Sequence, residues 1–291
     1  MGARGMLRIN ESPLYFRIIN ALFMIVLMLV MAVPLWNILV VSFTSNLESF
    51  EVEFKLLPRE PSISGYAMLL TSVQLWRPFL NNTFVTVLGT LFFVVTNSLA
   101  GFVLTRPRFP GKGLLFLLFL LPMMIPGGAI IIPLYITMKR LGLIDSLWSV
   151  TLIGVGSTFA IFLMRNYFTS IPRSLEESAH MDGASLFRIF GNIYLPLSKA
   201  GLATIALMEM VGKWNHFFSA VLYLHSAEKQ TLQRAIQGLI APSESRLMTG
   251  EIISNNIRAA AIVVALIPML AIYPFIQRYF IKGIFLGAVK E

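Results

Sequence analysis

Charged side chains are scarce in this chain, and two groups of them stand at spacings that could do chemistry or mechanical work. In the run from Ile171 to Pro196, Arg173, Glu176, Glu177 and Asp182 fill the first half. Leu175, Ala179, Leu186, Phe187 and Phe190 recur through the same run at roughly helical spacing. Asp182-Gly183 breaks that pattern as a turn would, so two short helices of about nine and about seven residues are expected to meet at a bend on the membrane surface. Pro196 then falls in the first turn of the next apolar run, where its missing N–H costs least. A surface helix pair offering both acids and hydrophobes is a docking face for another protein. The second group is Glu209, Lys213, Trp214, Asn215 and His216, inside an apolar run. Glu209 and Lys213 are four apart and in the favourable order for a helical ion pair.

Catalytic machinery is missing from the pattern. Gly111-Lys112 lacks the upstream glycine of a phosphate loop, because Arg106 holds that position, and Gly113 follows the lysine. There are no cysteines, which removes thiolate metal sites, thiol nucleophiles and disulfides. The three histidines, His180, His216 and His225, are too scattered for a zinc site. The sequence therefore calls for no cofactor, no metal and no enzymatic activity of its own.

The elements that must position these groups follow from composition. Of 291 residues 56% are hydrophobic and 13% charged, with a mean hydropathy of +0.76, against about 25% charged in soluble domains. An integral membrane protein is implied. Six runs reach the about 20 residues needed to cross a bilayer, near 18–42, 79–104, 113–137, 147–169, 196–223 and 256–280. The expected fold is all-α and polytopic: a cytoplasmic N-terminal segment at 1–17, then a six-helix membrane domain at 18–290 with the charged loop at 171–196. The apolar run from Ala21 to Phe43 is long enough to span and has no small-x-small cleavage site after it, so it reads as an anchor.

The net charge of +9 would point to nucleic acid in a soluble protein. Its placement points elsewhere. With the N-terminus cytoplasmic, thirteen basic residues face five acids on that side and nine face eight on the other. By the positive-inside rule both termini and the 171–196 loop are then cytoplasmic. The first external loop, Thr44 to Trp76, should be largely irregular with a short helix near residues 65–75, a contact for an extracytoplasmic partner. Pro122, Pro126 and Pro133 with Gly127-Gly128 loosen the third run. The kink they imply serves either a pathway or plain packing. Asn81, Asn82, Thr86, Thr90, Thr96 and Asn97 in the second run should bond between helices.

Glu177-Ser178-Ala179, Asp182-Gly183-Ala184 and, after a nine-residue interval from Gly183, Ile193-Tyr194-Leu195-Pro196 resemble the EAA loop of ABC importer permeases. Ser178 stands where that motif has its first Ala. Ile132-Pro133-Leu134-Tyr135, Leu141-Gly142-Leu143, Trp214-Asn215 and the tail from Tyr279 to Lys290 are similar to carbohydrate-type permeases, over about residues 79–290. Tail and spacing are nearest the branch handling larger or modified oligosaccharides, including uronate-containing ones such as alginate- or pectin-derived sugars.

That resemblance implies the smaller six-helix partner of a bacterial inner-membrane importer of the maltose and multiple-sugar type. Its partners would be a second permease, two ATP-binding subunits, an extracytoplasmic solute-binding protein and an oligosaccharide. Glu177, with Glu176 as the second candidate, would accept a charge-assisted hydrogen bond from the ATPase. Gly183 would allow the bend that lets Ala184 pack closely, and Leu186, Phe187 and Phe190 would fill an apolar cleft. One charge at mid-membrane costs about 2.5 to 3.5 kcal/mol, so Glu209 and Lys213 either neutralise each other as a packing pair or line the path. In the second case Asn215 and Trp214 offer a hydrogen bond and a stacking surface to the sugar. A self-sufficient secondary transporter or channel is the competing reading. It predicts an internal repeat with two matching broken helices, and only one interrupted run is evident.

Overall fold

The structure is a computed structural model that describes residues 13–51, 53–106, 110–240 and 253–288, with side chains as far as residue 274. Residues 1–12 of the expected N-terminal segment and the side chains of the 279–290 tail lie outside the described residues. Among the described residues the chain is helical and forms no strand. In order come α1 (Leu14–Ser42), α2 (Ser64–Thr71), α3 (Trp76–Thr105), α4 (Lys112–Met124), α5 (Gly127–Arg140), α6 (Leu147–Leu152) and α7 (Thr158–Thr169). There follow α8 (Arg173–Met181), α9 (Leu186–Ile189), a π-helical turn Phe190–Tyr194, α10 (Leu195–Leu197), α11 (Lys199–Trp214), α12 (Phe218–Tyr223), α13 (Leu232–Ile240) and α14 (Asn255–Ala288).

Three described helices are long and apolar enough to cross a membrane, α1, α3 and residues 255–274 of α14, or up to five spans if each bent pair counts as one. The straight spans expected from composition differ from this. The run at 113–137 is α4 and α5 meeting at 108°, because Pro122 and Pro126 withdraw two donors beside a glycine pair. The run at 147–169 is α6 and α7 with non-helical backbone between them, and that at 196–223 is α11 and α12 parted at residues 215–217.

The chain divides into two compact units, residues 1–72 with 251–263 and residues 73–250 with 264–291. In the first, the 43–63 loop is largely irregular, as expected, with one 3-10 turn at Glu48–Phe50, and it is organised around buried polar groups. The Glu48 carboxylate accepts from the backbone N–H of Arg59 and of Glu60, each at 3.0 Å, and pairs with the buried Lys55 ammonium at 3.3 Å. The buried Asn256 amide donates to Thr44 O at 3.0 Å and to Asn46 Oδ1 at 2.8 Å. A Cβ on Gly65 would lie 2.9 Å from Asn256 O, so α2 starts hard against the first turn of α14.

The second unit is organised on α3, which packs against α6, α7, α11 and α13. Its core joins Phe93 and Phe102 of α3 to Met164 and Phe168 of α7, Ile189, Tyr194 and Ile205. Small residues set the helix separations, as expected where lipid supplies no hydrophobic drive between helices. A Cβ on Gly101 would stand 2.9 Å from Met164 Cβ and 3.0 Å from Ile161 O, and one on Gly201 2.5 Å from the Tyr167 ring. Between α5 and α6, Asp145 adopts a φ of +55° and anchors the chain after α12. Its Oδ1 accepts from the backbone N–H of His225 and of Ser226 at 2.9 Å each, and Lys229 Nζ donates to its Oδ2 at 3.1 Å.

Two outcomes follow from this packing. Gly101→Ala must force α3 and α7 apart against backbone, and should lower the thermal stability of the purified protein by about 1–3 kcal/mol, read as a fall in Tm. The Ser226 hydroxyl and amide and the His225 amide hold the Asp145 carboxyl well below the usual carboxylate range. A depressed folded-state pKa stabilises fully above the unfolded value of about 3.9 and is lost as pH falls through the folded value. Protection of the His225 and Ser226 amides, the slowing of their exchange relative to the unfolded chain at the same pH, should therefore hold down to about pH 4 and fall only in stronger acid. Asp145→Ala should remove it at every pH.

Candidate functional site

The 171–196 segment forms α8, a turn, α9 and the π-helical turn. Gly183 sits at φ +77°, a conformation L side chains rarely adopt. Its N–H donates to His180 O at 3.0 Å while the N–H of Ala184 donates to Ala179 O at 2.9 Å. This crossed pair of bonds is the Schellman ending of a helix, and the contact it makes between Ala179 and Ala184 is the expected one. Both alanines are half-buried against the α3 and α7 core. Ser185 then caps α9, its Oγ accepting from the Arg188 N–H at 3.4 Å.

The segment has an outer and an inner face. Met181 is 89% exposed, Phe187 81% and Leu186 48%, and Glu177 and Asp182 are exposed beside them. Phe190 turns inward, its ring 5.0 Å from that of Phe102, so it belongs to this chain's core rather than to an outward apolar contact. Glu176 turns inward too. Its carboxylate pairs with the Arg106 guanidinium and accepts from the Tyr194 hydroxyl at 2.6 Å. Burial pushes the Glu176 carboxyl up, but the bonds from Tyr194 and Arg106 outweigh it and hold the group below its ordinary value. Burial and the adjoining carboxylate raise the Tyr194 phenol. A cavity of about 230 Å³ opens beside this contact, lined among others by Arg106, Arg173, Glu176, Glu177 and His180.

The second group of charges lies where α6 gives way to α7. Glu209 and Lys213 approach to 3.7 Å, as their spacing predicts. The ammonium is 2% exposed and its donors are directed elsewhere, to Val150 O at 2.8 Å, Thr151 O at 3.1 Å and Ile153 O. These are carbonyls at the C-terminal end of α6, which have no partner within their own helix. Asn97 of α3 serves the rest of the break: its Nδ2 donates to Val155 O and its Oδ1 accepts from the Ser157 N–H, both at 2.8 Å. Thr96 Oγ1 donates to Val155 O at 2.9 Å. Gly89 has no Cβ because the Lys213 stem passes it, 3.0 Å from where a Cβ would be.

Trp214 is buried, with Nε1 donating to Ala265 O at 3.0 Å and its own carbonyl accepting from Asn82 Nδ2 at 3.2 Å. Asn215 is exposed and its amide folds back onto Val211 O at 2.9 Å. Of the four residues considered for a pathway, Glu209 lines a cavity, of about 390 Å³, with Gly154, Gly156, Ser157, Met208 and Phe93 among its walls. Lys213 and Trp214 are spent on backbone carbonyls. Asn82, Thr96 and Asn97 bond between segments as expected, whereas the Thr86 and Thr90 hydroxyls have no partner among the described residues. Arg106, Tyr194 and the 153–157 break escaped the sequence reading. The signals that could have found them are a cation directly after an apolar run and Gly154-Val155-Gly156 inside another.

Residues 97–286 match the family described as binding-protein-dependent transport system inner membrane component. Protein LplC of Bacillus subtilis is 34% identical over 284 residues, covering 94% of this chain and 95% of that protein. The polygalacturonan/rhamnogalacturonan transport system permease protein YtcP of the same organism is 34% identical, covering 92% and 96%. A crystal structure of a bacterial ABC transporter involved in the import of the acidic polysaccharide alginate contains a chain 31% identical to this one. The superposition has a TM-score of 0.83 and covers 91% of this chain and 96% of that one.

Lys213→Met removes the donor that serves three carbonyls at the helix break. Each carbonyl left without a partner costs about 1–3 kcal/mol, so this variant should insert yet lose stability in detergent, seen as a lower Tm. Asn215→Ala, whose amide serves only its own helix, should leave Tm unchanged.

Proposed function

Because this chain belongs to the family of binding-protein-dependent transport system inner membrane components, we propose that it is one permease subunit of an ATP-driven oligosaccharide importer. It would pair with a second permease, take its energy from two separate ATP-binding subunits, and receive cargo from an extracytoplasmic solute-binding protein. Six crossings with both termini and the 171–196 segment in the cytoplasm fit the distribution of basic residues. In this reading each of the bent or broken elements, α4 with α5, α6 with α7, and α11 with α12, is one crossing.

The observation that carries the reading is the two-faced α8–α9 segment. Its inner face is fixed to the core by Ala179, Ala184, Ile189 and Phe190, and its outer face offers Glu177, Met181, Leu186 and Phe187, which nothing among the described residues covers. A rigid surface helix joined through short turns to α7 and α11 can pass a displacement of a docked ATPase into the bundle. Glu209 and the cavity beside the 153–157 break are where cargo would pass, along a wall that includes Gly154, Gly156 and Ser157. The relative named for polygalacturonan and rhamnogalacturonan, and the alginate importer whose chain superposes on this one, support uronate-containing oligosaccharides as the substrate class.

Glu177→Lys should leave membrane insertion intact and abolish oligosaccharide uptake, because it places a cation where a basic residue of the ATPase would dock. Gly183→Arg should do the same by straining the left-handed turn, at about 1–2 kcal/mol. Uptake by cells carrying either variant, measured beside the amount of permease in the membrane, checks both. Wild-type uptake with either change would sink the coupling role.

A further inference from the structure

Docking leaves one acid of α8 unexplained. Glu176 is beside Glu177 in sequence but is only 18% exposed at its side chain, and both carboxylate oxygens are bonded within the chain. Oε2 accepts from the Tyr194 hydroxyl at 2.6 Å and Oε1 from Arg106. Arg106 is the residue at which α3 ends. Its second guanidinium nitrogen donates to Tyr194 Oη at 3.2 Å, which closes a ring of three side chains. The guanidinium lies 4.1 Å over the Phe102 ring, and Lys112 Nζ donates to the Arg106 carbonyl at 2.6 Å. Three elements therefore meet at one point: the end of α3, the inner face of α8, and the π-helical turn that leads to α11.

The turns flanking α8 are the places where it could swivel. On one side stand Ser170 to Pro172, and on the other Asp182 and Gly183, the latter already at positive φ. The ring bridges α8 to a helix that is not its neighbour in sequence. We propose that Arg106, Glu176 and Tyr194 form a strut that clamps the docking helix to the end of α3, which makes Glu176 and Arg106 positioning residues of the transport cycle. A push on α8 then travels along α3 itself, the helix whose Thr96 and Asn97 hold the break at 153–157 beside the cavity. Without the strut only the apolar contacts of the inner face tie the segment to the core, and more of the push is absorbed in the two turns. The inference rests on the reading of α8 as the ATPase-docking helix.

The chain has no cysteine, so Ser174→Cys on α8 and Val103→Cys on α3, both exposed positions, give a spin-label pair with no other thiol in this chain, for use in the complete transporter purified with its own ATPase subunits after any cysteines of those subunits are replaced by serine. The expected result is one inter-label distance shared by the nucleotide-free and ATP-bound complexes. In E176Q and in R106K, which keeps the charge but loses the fork, the distance should change between those two states. Sugar moved per ATP hydrolysed should also fall about fivefold or more. A distance that changes with nucleotide in the unmodified protein, or stays constant in both variants, overturns the strut. If the Ser174 label has the same mobility with and without the ATPase subunits, α8 is not where they dock, and the docking reading fails together with the strut that rests on it.

Discussion

A helix broken inside an apolar environment releases backbone groups that water is not there to satisfy, and each must find a donor or acceptor from the protein. The stretch between α6 and α7 is such a break, and the side chains that answer it explain much of the second unit. Lys213 brings an ammonium to the carbonyls of Val150, Thr151 and Ile153, and Asn97 meets Val155 and Ser157. An ammonium is an unusual solution, since burying an unpaired charge is costly. Here three carbonyls at a helix C-terminus, where the dipole favours a cation, and Glu209 at 3.7 Å supply what water would have given it. The break then costs little, and the two glycines it contains leave room for the cavity that Glu209 lines.

The same requirement fixes α3 as the helix on which other elements converge. Asn82 projects from it to the Trp214 carbonyl and Thr96 and Asn97 to that of Val155, and Gly89 and Gly101 let the Lys213 stem and α7 come close. Side chains that bond across in this way define register more sharply than apolar contacts do, because a slip leaves a buried polar group without a partner. At its end α3 carries Arg106 into the Glu176 and Tyr194 contact. One helix thus touches both the broken segment beside the cavity and the two-faced surface segment. The π-helical turn at Phe190–Tyr194 is what aims the Tyr194 ring at that contact, and such turns recur at functional positions for this reason.

What the sequence disclosed and what it withheld divide along the range of the interaction concerned. The turn at Asp182-Gly183 was legible because glycine after an amphipathic run has a local consequence, and the structure adds the pair of crossed bonds that explains why glycine is needed. The Glu209 and Lys213 pair was legible because four residues apart is one helical turn. The partners of Lys213 were not, since they stand some sixty residues away in sequence. Nor was the Arg106 contact with Glu176, seventy residues apart, so Glu176 read as a second docking acid like its neighbour. Ile153 to Ser157 read as span interior because a window average sees apolar residues and ignores that two of them are glycine. The 108° bend between α4 and α5 was underestimated for a related reason. Prolines mark where a helix yields, while the angle is set by what each half packs against.

The distribution of polar groups also says which helices this chain can complete alone. Lys213, Asn97, Trp214 and the Asn82 Nδ2 all find their partners inside the second unit, whose core is filled by aromatic and branched side chains. Helices α4 and α5 differ, with Met138 as their one buried residue and long apolar side chains such as Met123, Met124 and Ile132 on the outside. In the first unit, α1 has no buried residue within its apolar stretch. A helix that is apolar all round and covered by nothing in its own chain must be covered by lipid or by another protein. Lipid suffices for a uniform surface. It does not suffice at the α4 and α5 bend, where a sharp break in an apolar helix leaves backbone groups that a neighbouring helix or cavity water has to satisfy. Among the described residues the second unit meets that demand at 153–157 from its own side chains and places none at residues 124–127, which leaves cavity water or a neighbouring helix to meet it there.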